Sequence, residues 1–288
     1  MKKTVLLLFG IALLFPKFQL GAEPIADEAL LCADQADNYI RLISNDKTIW
    51  SYPAKENEDF PWRPTDAKRV EFNGETHILI AWHGRIRLVR FRDHKTVKDF
   101  KTYSSCHSAE LLPDGTLVSA SSNHGKLRVH FGKEDFHDLD LPYAHGVVWD
   151  KSRNRLWALG DFLYLIRYSD KKLTVEKQFK LPKSPTGHDL FPLQNEDRLL
   201  VSNNHGLYLF DIESKKFETV SELKWIKSAS QRNDGSIWIT DPANIEGAKS
   251  WQTDSVMQIQ PKAPEKRFSF ENARFYKARW WQKSTFSY

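Results

Sequence analysis

The stretch His107–Ser121, H-S-A-E-L-L-P-D-G-T-L-V-S-A-S, decides the fold. Two short segments flank an Asp-Gly pair, which predicts a β-hairpin. A second copy, K-S-A-S-Q-R-N-D-G-S-I-W-I-T-D, starts at Lys227. Lys227 lies eight residues before Gly235, just as His107 lies eight before Gly115. The shared spacing indicates an internal repeat.

Three further copies start at Asp66, His145 and His188, so successive copies are 41, 38, 43 and 39 residues apart. Alternating segments that predict a third strand follow each hairpin, at 86–91, 127–131, 163–168, 206–211 and 255–259. A fourth strand is predicted at 97–100, 174–179 and 217–220. Four antiparallel strands recurring about every 40 residues are typical of β-propeller blades.

The two ends of the chain supply a sixth blade. Three strands are predicted near the start, at 29–34, 39–44 and 48–52, and one strand near the end, at 275–281. Pairing the last strand with the first three closes the ring and removes its exposed sheet edges. The sequence therefore predicts an all-β, six-bladed propeller that forms a single domain over residues 23–288.

Residues 1–22 form a separate unit. Lys2 and Lys3 precede an apolar run that ends in small residues, which is the pattern of a cleaved secretory signal and predicts a secreted or periplasmic protein. The run is too short to span a bilayer, and no later stretch is apolar enough, so no membrane span is expected after cleavage. Removing this unit removes three lysines and no acid, which lowers the formal net charge from +5 to +2. So small a charge argues against a nucleic-acid partner.

Cys32 and Cys106 are the only cysteines. Export would permit a disulfide between them, but a chain of this length does not need one. The sequence alone is compatible with either a Cys32–Cys106 disulfide or two free thiols.

The first strand of each blade lines the central channel of a propeller, so equivalent repeat positions converge at one mouth of that channel. Five of these positions are the copy starts already named, and the sixth comes from the closing strand. The converging residues are Asp66, His107, His145, His188, Lys227 and one residue near Tyr276, Lys277 or Arg279.

The three histidines in phase are the sharpest feature of this mouth. His107, His145 and His188 could hold one divalent transition metal ion with open positions for substrate. They could instead act as metal-free acid–base groups, with Lys227 holding an anion. They could also only hydrogen-bond to one another and to water, filling a polar channel.

Charged and aromatic residues near the inner strands predict an anion-binding mouth. The candidate ligand-binding residues are Asp66, Lys68, Arg232, Lys277 and Arg279. The alternative is a set of solvated charges that pair with Asp and Glu. Five tryptophans could stack on sugar rings, although packing between blades is the commoner role of such rings: Trp149, Trp157, Trp238, Trp280 and Trp281.

Three segments carry a family resemblance: Cys106–Gly115, Ala144–Asp150 and Gly187–Leu190. They resemble a family of exported bacterial six-bladed propellers of unknown function. More loosely, the architecture is similar to gluconolactonase-like and strictosidine-synthase-like propellers and to propeller uronate lyases, which use a metal or a histidine at the central mouth. The His-only set departs from the acidic and Asn ligands of the gluconolactonase type, so the resemblance implies a fold more than a reaction.

Two functions are therefore expected to compete. In the first, the mouth binds a small anionic or carbohydrate-derived ligand, or an oligosaccharide, and acts as a lyase, hydrolase or lactonase. In that case His107, His145, His188 and Lys227 are the catalytic set, with or without a metal. In the second, the propeller is a non-catalytic scaffold that binds a ligand or a protein.

Overall fold

The computed structural model describes residues 28–54, 63–242, 245–260 and 266–288. The predicted signal at 1–22 and the segment 55–62 lie outside these ranges. All regular structure in the described chain is β, arranged as six antiparallel four-stranded sheets. Within the described residues, no helix is long and apolar enough to cross a membrane.

Each sheet is one blade of a six-bladed propeller, which confirms the predicted fold. Blade 1 contains β1 (Leu30–Asp34), β2 (Tyr39–Ser44) and β3 (Lys47–Pro53). Blade 2 contains β4 (Pro64–Phe72), β5 (Glu75–Trp82), β6 (Arg85–Arg90) and β7 (Thr96–Lys101). Blade 3 contains β8 (Cys106–Leu111), β9 (Leu117–Ser121), β10 (Lys126–His130) and β11 (Phe136–Asp140).

Blades 4 to 6 repeat the same order from the axis outward. Blade 4 contains β12 (Gly146–Asp150), β13 (Arg155–Leu159), β14 (Phe162–Ser169) and β15 (Lys172–Lys180). Blade 5 contains β16 (Gly187–Pro192), β17 (Arg198–Asn203), β18 (Gly206–Asp211) and β19 (Lys216–Ser221). Blade 6 contains β20 (Ala229–Gln231), β21 (Ile237–Thr240), β22 (Ser255–Gln260) and β23 (Arg267–Ser269).

The ring closes as predicted, because the last strand, β24 (Phe275–Trp280), pairs antiparallel with β1 and becomes the inner strand of blade 1. The core lies between adjacent blades rather than at one centre. Val148 and Trp157 of blade 4, for example, share a buried cluster with Leu190 and Phe210 of blade 5. Burying both faces of every sheet in this way supplies most of the stability of the fold.

The carboxyl-terminal segment, residues 281–288, crosses the end of the channel where the inner strands finish. Trp281 packs among blades 1 and 2 beneath the guanidinium of Arg69. The Thr285 hydroxyl accepts a hydrogen bond from the Asn195 backbone of blade 5, and the Phe286 carbonyl accepts one from Lys151 of blade 4. We call this the closed end of the channel.

Both cysteines are free and buried in different blades, so the structure contains no Cys32–Cys106 disulfide. Burial raises the pKa of both thiols, that of Cys106 to about 12, so both are protonated at neutral pH. They act as small core residues.

Candidate functional site

The inner strands bring six equivalent residues to the other end of the channel. Four of them lie at a bulge of the inner strand, and the other two lie one or two residues before its first paired residue. These residues, which we call the mouth ring, are Thr65, His107, His145, His188, Lys227 and Tyr276. The predicted convergence of the three histidines with Lys227 is therefore present, and Tyr276 is the sixth member.

Asp66 was predicted in this ring, and that register is off by one residue. Thr65 is the bulged residue of β4, because Pro64 pairs with Trp82 and Asp66 with Ala81. Asp66 occupies the next position into the channel, where it accepts a hydrogen bond from Ser108 at 2.9 Å.

A close contact between blades 4 and 5 fixes the position of His188. Gly187 precedes it, and a Cβ on this glycine would overlap the side chain of Leu159 and the carbonyl oxygen of Gly160. The Gly187 amide donates to that same carbonyl at 3.1 Å. Only glycine allows this approach, so the sequence Gly-His places the imidazole at the axis.

The three imidazoles form one continuous cluster. The rings of His107 and His145 stack with centroids 4.4 Å apart and planes inclined by 19°. The ring of His188 meets that of His145 edge-on at 5.4 Å. Tyr143, two residues before His145, covers the His145 ring at 4.2 Å.

Hydrogen-bond partners assign the tautomers of two of these rings. His145 Nδ1 faces the carbonyl oxygen of Tyr143 at 2.8 Å, so Nδ1 carries the proton. His188 Nε2 donates in the same way to the side-chain oxygen of Asn204. No hydrogen bond from the described residues reaches His145 Nε2, which therefore offers a lone pair to the mouth. His107 Nδ1 bonds the Tyr276 hydroxyl at 2.8 Å.

All three histidines are neutral at physiological pH. Burial lowers the pKa of His107 and His145 well below the usual value, and the nearby Lys277 ammonium and neighbouring imidazoles lower it further. Burial and the Lys227 ammonium lower the pKa of His188 to about 3. The cluster therefore presents neutral donors and acceptors rather than positive charge.

This geometry does not fit the expected three-histidine metal centre. Stacked rings cannot direct their nitrogens at one point, and two of the Nδ1 or Nε2 atoms are used by Tyr143 and Asn204. The Lys227 ammonium lies 3.3–3.4 Å from the His188 ring nitrogens, where it would repel a cation. Among the residues that the structure describes, no group of three or more His, Cys, Asp or Glu is arranged to hold a metal ion.

Lys227 is the unpaired charge of the mouth. Its Nζ contacts the ring nitrogens of His188 and lies 5.9 Å from the ring centre of Trp225, and no ion pair with a carboxylate is present within the described chain. Burial, with help from the Lys277 charge, lowers the pKa of Lys227 to about 8. The group is thus mainly charged at pH 7, and no described carboxylate serves as its counter-ion.

Directly beneath the mouth ring, four buried charges neutralise one another. Arg279 binds Asp189 at 2.7 Å and Asp66 at 3.1 Å. Lys277 Nζ lies 3.0 Å from Asp189 and 3.8 Å from Asp66, without hydrogen-bond geometry to either. We call these four residues the floor network. Burial alone would raise the pKa of Asp66, but the cations outweigh it and hold this pKa well below the usual range.

The floor network accounts for three of the predicted ligand-binding residues, because Lys277 and Arg279 lie against the carboxylates of Asp66 and Asp189. Lys68 lies deeper, where it contacts Glu110 at 3.2 Å and the Val147 carbonyl at 2.5 Å. Arg232 lies at the opposite end of its strand, paired with Glu28 and stacked on Trp280. The structure therefore brings His107, His145, His188 and Lys227 to the mouth surface, and does not bring Arg232 there.

The structure confirms packing, the commoner of the two roles considered for these tryptophans. The five proposed stacking residues are all buried in the core, at 0–6% exposure: Trp149, Trp157, Trp238, Trp280 and Trp281. Sequence reasoning missed Tyr143, Asn204 and Trp225, which touch or flank the imidazoles. A usable signal was present: an aromatic residue precedes both His145 and Lys227 by two positions.

A family model described as a family of unknown function (DUF6528) matches residues 23–288. A comparison with curated proteins finds no match.

Solved structures share the fold at low identity. A protein of unknown function from Bacteroides caccae aligns with a TM-score of 0.60 and 15% identity, over 87% of this chain and 97% of that one. Virginiamycin B lyase from Staphylococcus aureus aligns with a TM-score of 0.52 and 12% identity, over 85% and 86%. The β-propeller domain of Cps50 (Swd1) from Myceliophteria thermophila gives 0.56 and 13%, over 84% and 94%. At these identities the likeness concerns the fold alone.

Proposed function

The chain belongs to DUF6528, a family of unknown function, and for this member we propose that the mouth ring binds a small, carbohydrate-derived carboxylate. One observation carries the proposal: Lys227 is a partly buried cation that has no carboxylate partner among the described residues, beside three neutral imidazoles. Buried charges are normally paired. A ligand carboxylate would supply the missing partner.

The surroundings of Lys227 favour an anion over a neutral ligand. The floor network below it contains two carboxylates and two cations and so adds no net charge. The imidazoles stay neutral and offer hydrogen bonds. In so dry a site, a charge-assisted hydrogen bond contributes about 1.5–3 kcal/mol, which corresponds to roughly 10- to 100-fold in affinity.

The same groups are suited to β-elimination on a uronate. His145 Nε2 would take the proton beside the carboxylate, the C–H electron pair would form the C=C bond, and the neighbouring C–O bond would break. The departing oxygen would take a proton from water. Lys227 would stabilise the negative charge that develops on the carboxylate. The virginiamycin B lyase named above has a related fold, which supports the elimination class only by analogy.

No step of this proposal uses a metal, because the imidazole geometry does not suit one. Hydrolysis of a sugar lactone would use the same base to activate water. The non-catalytic alternative shares the binding step and lacks turnover. The low basicity of the buried histidines is the observation that favours it. We place the protein outside the cytoplasm on the strength of the amino-terminal pattern.

The test is binding of D-galacturonate and D-glucuronate, with D-glucose as the uncharged comparison, measured by calorimetry at pH 7. The uronates should bind and glucose should not. Lys227→Met should weaken uronate binding about 10-fold or more, whereas Lys224→Met, at an exposed neighbouring position, should not. Affinity should also fall as pH rises through about 8, because Lys227 loses its proton there.

Turnover is followed separately through the ultraviolet absorbance of the unsaturated product formed from oligogalacturonate. His145→Gln should abolish turnover while uronate binding remains. Uronate binding that is unchanged in Lys227→Met would refute the site. Binding without turnover in the wild type would establish the non-catalytic alternative.

A further inference from the structure

Tryptophan exposure is divided sharply in this protein. Of the nine tryptophans in the described ranges, seven are buried at 8% exposure or less. The other two, Trp225 and Trp251, are 51% and 37% exposed. Both line one shallow cleft beside the mouth, which encloses only about 10 Å³, and Lys227 lines it too.

Trp225 is held in an unfavourable backbone conformation. Its φ is +68°, in the left-handed region, which costs a bulky residue energy because Cβ approaches the following carbonyl oxygen. The ring nevertheless remains half exposed, with its centre 6.3 Å from that of His188. Because this backbone strain holds an indole ring that the fold does not bury, it points to a role of the ring in ligand binding.

The Trp251 side chain is held by a hydrogen bond rather than by backbone strain. Its indole nitrogen donates to the side-chain oxygen of Gln35 at 3.3 Å, and the Gln252 amide donates to the same oxygen at 2.9 Å. Gln35 itself donates to the Pro64 carbonyl at 2.9 Å. The loop of blade 6 is thereby tied to blades 1 and 2, and the Trp251 ring is orientated before any ligand arrives.

The rest of the cleft is polar but nearly uncharged. Its other lining residues are Thr240, Asp241, Pro242, Ser250, Gln252 and Thr253. The one carboxylate among them, Asp241, is paired with Arg267 at 2.6 Å. Flat apolar faces beside hydroxyl and amide groups match a sugar ring, whose C–H face is apolar and whose edge carries hydroxyls.

We propose that the surface over this cleft is a second subsite, where the sugar ring adjoining the carboxylate-bearing unit held by Lys227 stacks on the exposed faces of Trp225 and Trp251. This inference rests on the proposed function and narrows its ligand to an acidic oligosaccharide, in preference to a free uronate. Ligand length, rather than charge alone, then sets affinity.

The experiment compares D-galacturonate with trigalacturonate by calorimetry, on wild type, Trp251→Ala, Trp225→Ala and Trp225→Tyr. Wild type should bind the trimer at least about 10-fold more tightly than the monomer. Trp251→Ala should remove that advantage and leave monomer affinity unchanged. Trp225→Tyr should keep most of the advantage that Trp225→Ala loses, because a stacking ring is retained.

Leu223→Ala is the matched control, since Leu223 is 41% exposed and does not line the cleft. It should bind both ligands as wild type does. Equal affinity for trimer and monomer in wild type, with Lys227-dependent monomer binding intact, would overturn the subsite alone. Absence of uronate binding altogether would overturn the proposed function and the subsite with it.

Discussion

The two ends of the central channel differ in how they use polar and aromatic side chains. At the closed end, Thr285, Phe286 and Ser287 contact blades 4 and 5, and Trp281 is buried at 4% exposure. At the mouth, Lys227 has no carboxylate within the described residues and Trp225 stands half exposed in a strained conformation.

The contrast indicates that residues at the closed end mainly stabilise the fold, whereas those at the mouth contribute less to stability. Residues at the closed end satisfy one another, so their removal should cost folding energy. In the mouth ring, no described residue bonds His145 Nε2 and no described carboxylate pairs with Lys227. The floor network lies between them, and as a buried but neutral set of charges it is the part most sensitive to the loss of one member.

The largest effect is expected from Asp189→Ala, which leaves Lys277 and Arg279 buried with only Asp66 as their counter-ion. An uncompensated buried charge costs about 3–5 kcal/mol. Urea unfolding should show this loss in the free energy of unfolding. A change below about 1 kcal/mol would mean that water reaches the floor network and that the channel interior is not dry.

A smaller loss of stability is expected from single substitutions that compare the two ends of the channel directly. Phe286→Ala removes a ring that is 7% exposed at the closed end and should cost about 3 kcal/mol in urea unfolding. Trp225→Gly at the mouth removes a larger ring but also relieves the positive φ, so the net change should stay within about 1 kcal/mol. Equal losses at both positions would contradict the division described here.

The last prediction concerns the stability of the protein at acidic pH, where the expected loss is smaller than that of the Asp189 and Phe286 substitutions. The pKa of His188 is about 3 in the folded protein, so below the usual histidine pKa of about 6.5 the unfolded chain binds a proton that the folded chain does not. Stability is therefore lost as pH falls from 7 to 5, by about 2 kcal/mol for this group. Between pH 7 and pH 5, the free energy of unfolding should therefore fall by about 2 kcal/mol more in wild type than in His188→Gln. His124→Gln, at an exposed position, should behave as wild type.

The sequence predicted the blade count and ring closure because both follow from strand periodicity, which backbone hydrogen bonding imposes on every copy. It misplaced Asp66 because the count ran backward from a turn glycine. In blade 2 the hairpin turns on two residues, Asn73 and Gly74, whereas in blade 3 five residues separate Leu111 from Leu117. Register counted from a turn holds only where the turns are alike.

Side-chain partners were beyond sequence reasoning at this site. The equivalence of His107, His145 and His188 could be read from spacing, but not that the first two rings stack. Nor could spacing show that Lys277 and Arg279 pair with Asp189 of blade 5, since that depends on where each side chain points inside the channel.

Because residues 281–288 cross one end of the channel, the mouth is the end from which a ligand can approach. A polymer cannot pass through a channel that is blocked at one end, so a long saccharide could reach the imidazoles only with a chain end or a sharp bend. If the proposed turnover takes place, its product would have to leave by the same opening through which the substrate entered.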